Sequence, residues 1–146
     1  MKKNIIFIFL ALIIGALFAF YVFKGINITL ADSIRDNFVN FYQIGVFRKY
    51  NNAYKLHDKY PESKIFKDES FYYVYIGMAY DEEIGLFYEK YYQTNNINYY
   101  KKRVKINGKC LNKIKDYEKL VNKNLKDDLI SSYNKNVLNI YQKECL

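Results

Sequence analysis

The 146-residue chain carries 23 Lys+Arg against 15 Asp+Glu, with 17 Tyr, 11 Phe and no Trp. That length holds one domain of about 100–150 residues plus an anchor, which excludes a multi-domain enzyme. With six Gly and one Pro the composition is too ordered for a low-complexity tail.

Lys2-Lys3-Asn4 precedes an apolar run from Ile5 to Phe23, 19 residues without a charge, closed by Lys24. A helix needs about 20 such residues to cross the hydrocarbon of a bilayer. A cleaved signal peptide is the competing reading, with Thr29-Leu30-Ala31 as its cleavage site. The run exceeds the usual apolar core of about 7–15 residues, however, and Lys24 intervenes. Residues 1–24 therefore read as an uncleaved anchor, and Lys2 and Lys3 keep the short end in the cytoplasm. Residues 25–38 form a polar linker in which Asp32 and Ser33 open a short helix. Past the span 20 basic residues face 15 acidic ones. This modest positive excess suits an anionic surface or only solubility. Nucleic acid is not an expected partner outside the membrane.

Globular patterning starts at Val39. Residues 39–47 are rich in β-formers and end at Arg48-Lys49, so they read as a strand. Asn51 caps a helix carrying Ala53, Leu56, His57 and Tyr60, stopped by Pro61. Residues 64–67 and 71–79, with Asp68-Glu69-Ser70 between them, read as a hairpin. Asp81-Glu82-Glu83 supplies a cap and two acids to a helix that buries Ile84, Phe87, Tyr88 and Tyr91. Tyr99 to Ile106 is the last strand, followed by Asn107-Gly108. The class is α+β: β-α-β-β-α-β over residues 39–106, two helices on one face of a four-stranded antiparallel sheet.

Residues 109–146 read as a helical hairpin turning near Asn124, with Leu111, Ile114, Tyr117 and Val121 on one stripe and Ile130, Tyr133, Val137 and Ile140 on the other. Asp127 is its second cap. Arms of about 14 and 18 residues, roughly 21 and 27 Å long, put Cys110 and Cys145 at the same open end. A disulfide between them is one reading, and two unpaired small hydrophobes the other. Two thiols and the distant His57 do not make a zinc site, and no metal or cofactor is expected.

Tyr42-Gln43-Ile44-Gly45-Val46-Phe47 followed by Asn52-Ala53-Tyr54-Lys55-Leu56 resembles the opening of SPOR domains, the bacterial repeat that binds peptidoglycan. Tyr72-Tyr73-Val74-Tyr75-Ile76-Gly77 resembles that family's third strand, and an acid-led helix follows at Glu82. The sequence departs from the pattern at Met78 and Ala79, where Pro and Phe are usual, and in the Tyr-rich second helix. The resemblance covers about residues 39–106. It implies peptidoglycan glycan strands as ligand, proteins of a division or sporulation complex as partners, a single-pass anchor in the bacterial cell membrane through residues 5–23, and a domain in the wall space.

Alternation places Tyr42, Ile44, Val46, Tyr72, Val74 and Ile76 towards the helices, with Val104 and Ile106 of the last strand in the same core. Phe41, Gln43, Tyr73, Tyr75, Lys101 and Arg103 then form the open face. Rings for stacking and an amide for hydrogen bonding suit a glycan. The competing reading is a protein-interaction or scaffold module of a membrane complex, with the C-terminal hairpin lying over that face; edge-strand cations also serve simply to protect an edge. No catalytic residue is expected. His57 lies in an apolar helical stripe, and no Ser-His-Asp or phosphate-loop spacing occurs.

Overall fold

The computed structural model describes residues 13–21, 37–121 and 126–146. The chain divides into two units, Met1–Asp36 and Asn37–Leu146. In the first, residues 13–21 form a helix, α1, whose apolar side chains Ile13, Ile14, Leu17, Phe18, Phe20 and Tyr21 are all exposed. Among the described residues no helix is long and apolar enough to cross a membrane. The flanks of the 5–23 run, and the linker helix expected at Asp32-Ser33, lie outside the described residues.

The second unit runs β1 (Phe38–Phe47), α2 (Tyr50–Lys59), β2 (Lys64–Asp68), β3 (Phe71–Ala79), α3 (Glu82–Thr94), β4 (Tyr100–Lys105), α4 (Gly108–Leu120) and α5 (Asp127–Glu144). This is the expected β-α-β-β-α-β order with a helical pair after it. Asp81 caps α3, its side chain accepting from the N–H groups of Glu83 (2.9 Å) and Ile84 (3.2 Å). Asn107 caps α4 by accepting from the Cys110 N–H. The other two caps differ from expectation. α2 follows Lys49 and α5 follows Lys126, neither with a side-chain cap bond, so Asn51 and Asp127 lie inside their helices.

The sheet is antiparallel, in the order β2-β3-β1-β4. Tyr42 pairs with Gly77, Gln43 with Tyr75 and Gly45 with Val74, so Ile76 on β3 and Ile44 on β1 are each bulged out of register. A bulge inserts one residue and reverses the parity beyond it. Val46, expected to face the helices, therefore pairs with Tyr73 on the opposite face and is exposed. Gly45 turns towards α2 instead, where a Cβ would lie 2.7 Å from Leu56.

Each face of the sheet carries its own core. On one side Tyr42, Ile76 and Ala79 pack with Ile84, Tyr88 and Tyr92 of α3 and with Ile130 and Tyr133 of α5. On the other, Val39, Phe41, Phe66, Tyr75 and Met78 pack with Cys110, Leu111 and Ile114 of α4 and Val137 and Leu138 of α5. α5 thus contributes to both. A disulfide joins Cys110 to Cys145, with Cα atoms 5.2 Å apart.

Glu118 is buried at the junction. Its two carboxylate oxygens accept from the Tyr80 and Asp81 N–H groups at 2.8 Å, which fixes the turn between β3 and α3 against α4.

Candidate functional site

The face bearing Gln43, Tyr73 and Tyr75 is half covered. α5 lays Tyr141 against Phe41 (ring centroids 4.9 Å apart) and Phe66 (5.7 Å), while Tyr75 lies 4.9 Å from Phe41 and 5.8 Å from Phe66. Phe41 is 2% and Tyr75 8% exposed. These two rings, expected on an open face, are core. Burial pushes the Tyr75 phenol up to about 12.

Lys101 and Arg103 also lie elsewhere than expected. β4 pairs Lys101 with Tyr42 and Arg103 with Asn40, which sets both on the α3 side of the sheet. There Lys101 Nζ meets Glu89 Oε1 at 2.7 Å and the Arg103 guanidinium lies over Phe38 at 4.7 Å. Strand alternation assigns Val104 and Ile106 to the core beneath the first two helices. They belong instead to the core that α4 and α5 complete.

What remains open is a strip at the far end of this face. One row of direct partners crosses all four strands, from Tyr100 through Gln43 and Tyr75 to Lys64. The next row holds Val46, Tyr73 and Phe66. Tyr100 and Val46 are exposed, at 64% and 42%, while Gln43 and Tyr73 are half-buried. Tyr73 stands parallel to Tyr75 with centroids 6.2 Å apart, and Phe71 extends the ladder at 6.4 Å. Two cations border it: Lys102 Nζ reaches across β1 to 5.2 Å from the Tyr73 ring, and Arg48 lies 5.7 Å from Phe71. Among the described residues the Gln43 side-chain amide has no hydrogen-bond partner. The strip thus offers an uncommitted amide between aromatic rings, with an ammonium and a guanidinium at the border.

Sequence reasoning missed Val46, Phe71, Tyr100 and Lys102 as strip residues. The place of Val46 on this face follows from the bulge and that of Tyr100 and Lys102 from the β4 register, neither with a local signature beyond Gly45, while Phe71 shares the parity of Tyr73 and Tyr75.

His57 Nδ1 lies 3.0 Å from Ser63 Oγ, a pair the sequence separation of six did not suggest. Ser63 is fully buried, so its hydroxyl cannot meet a substrate, and the contact serves to hold α2 to the segment entering β2. Among the described residues no group of His, Cys, Asp and Glu is placed to hold a metal ion.

Comparison with protein-family models, with curated proteins and with solved structures gives no match.

Proposed function

We propose that the chain is a non-catalytic binding module, held at a bacterial membrane by residues 5–23 with the bulk outside the cytoplasm, that takes a peptidoglycan glycan strand on the uncovered strip of its sheet. The observation that carries this reading is the Gln43 amide, unpartnered among the described residues, whose register partners are Tyr75 and the exposed Tyr100, with Tyr73 in the adjacent row. An amide that neither donates nor accepts among the described residues is matched by sugar hydroxyls and acetamido groups, and the flanking rings offer stacking faces to weakly apolar sugar rings. Lys102 and Arg48 suit wall carboxylates. The resemblance to SPOR domains and the βαββαβ order support the same reading.

The test is co-sedimentation of the full chain, in detergent, with purified sacculi. Losing one neutral hydrogen bond weakens binding by about 0.5–1.5 kcal/mol, and losing a central ring by more than about 1 kcal/mol. Gln43→Ala and Tyr73→Ala are each expected to lose several-fold in binding with little change in Tm, while Lys55→Ala on α2 changes nothing. Wild-type protein that stays in the supernatant overturns the glycan reading.

The second reading, a protein-interaction or scaffold module of a membrane complex, is favoured by the Tyr141 contact, which removes Phe41 and Tyr75 from any ligand. It becomes the better account if sacculi are not bound and a photo-crosslinker at Val46 captures a membrane-complex protein in cells.

A further inference from the structure

β4 is an edge strand, bonded on one side to β1 and, among the described residues, unpaired on the other. The Ile106 N–H donates to the Asn37 carbonyl at 2.8 Å, and the β1–β4 register runs without a shift from Phe38–Lys105 to Gln43–Tyr100. Along a strand the peptide groups point alternately to either side. Those of Tyr100, Lys102 and Val104 therefore point to β1, as Ile106 does, and those of Lys101, Arg103 and Lys105 point outwards. Every residue with an open peptide group on this edge is a cation, and β4 has no acidic residue.

The three cations share one face, because their register partners Tyr42, Asn40 and Phe38 do. Lys101 is neutralised by Glu89. Among the described residues Arg103 and Lys105 pair with no carboxylate, and both are exposed. On the other face the same strand shows Tyr100, Lys102 and Val104, with Val104 packed against the core and Tyr100 exposed.

We infer that the free edge of β4 takes up an extended segment of a partner protein in which acidic side chains alternate with apolar ones. Added as a fifth strand, such a segment bonds to the open peptide groups of Lys101, Arg103 and Lys105. Its acids fall beside Arg103 and Lys105, and its apolar side chains fall beside Tyr100 and Val104 on the opposite face. Edge cations ordinarily discourage pairing. A second copy of β4 is repelled for that reason, since cation would lie opposite cation. The same charges select an acidic strand. This surface runs along the β4 edge and meets the Gln43–Tyr73 strip at Tyr100.

The test uses the full chain in detergent micelles and a fluorescein-labelled short peptide of alternating Glu and Val, read by anisotropy. Controls are the same residues as a Glu block followed by a Val block, an alternating Lys-Val peptide, and the Glu-Val peptide with its backbone nitrogens methylated. Expected are saturable binding of the alternating acidic peptide that weakens with salt, at least tenfold weaker binding of each control, and a loss of about tenfold in Arg103→Glu/Lys105→Glu. A readout on the wild-type protein needs no variant. Peptide should slow hydrogen exchange at the amides of Lys101, Arg103 and Lys105 and leave those of Lys102 and Val104, already bonded to β1, as they were. Equal binding of the block or methylated peptide, unchanged exchange at the three outward amides, or binding to anionic lipid vesicles in place of peptide overturns the inference. Failure here with sacculus binding intact leaves the glycan reading standing, and the reverse result removes the glycan reading alone.

Discussion

Gly77 is set by the side chains above it. A Cβ there would meet the Tyr92 hydroxyl and Asn134 Oδ1, the groups around the buried 2.9 Å bond from Asn134 Nδ2 to Tyr92. Gly77→Ala is expected to cost about 1–3 kcal/mol by overpacking and by parting that bond where water cannot replace it, measured by denaturant unfolding. Tyr75→Ala differs in kind from Gln43→Ala: the first removes a core ring and lowers Tm, the second touches only the strip. Glu118 gives a pH dependence. Burial pushes its carboxyl up to about 7 from 4.5, against the two backbone donors that pull it down. The protonated form is therefore favoured by folding, so its contribution is full below pH 4.5 and is lost as pH rises through 7. The Tm of wild type relative to Glu118→Gln should fall across that interval. A constant difference would remove Glu118 as the titrating group.

Among the elements, α4 and α5 do what the amino-acid pattern only partly announced. Their heptad-like stripes were legible, as were the strands and the Asp81 cap, because periods of 3.6 and 2 and a capping acid are local signals. Which face of the sheet they would cover was not legible. That depends on two single-residue bulges and on the existence of a second core, and parity counted along one strand cannot tell to which core a buried residue belongs. Parity alone assigns Val104 and Ile106 to the core beneath α2 and α3, and with them it carries Lys101 and Arg103 to the wrong face. The cover itself is testable. The disulfide closes a separation of 35 residues, worth about 4 kcal/mol in the chain-entropy account. Cys110→Ser/Cys145→Ser is expected to lower Tm by roughly 15 °C, by calorimetry on the full chain. Tyr141→Ala, which uncovers Phe41 and Phe66, should cost about 1–3 kcal/mol and increase binding of a hydrophobic dye.

For the whole molecule, the proposed topology predicts that protease added to wall-stripped cells removes the domain and leaves an N-terminal stub. Survival of the intact chain would place the domain inside. The positive excess past the apolar run is modest, and the cations that matter are those at Arg103 and Lys105 rather than the sum. The position of α5 has a consequence in time. Ile130 and Tyr133 complete the core on one side of the sheet, and Val137 and Leu138 complete the core on the other. Neither half can close while this helix is missing, so both are expected to melt in a single cooperative transition, with calorimetric and van't Hoff enthalpies equal. A chain emerging from the ribosome or a translocation channel in sequence order would hold β1 to β4 with both faces still unsealed until α5 follows. During that interval its tyrosine-lined sheet is the surface on which a chaperone, or an aggregating neighbour, has its opportunity.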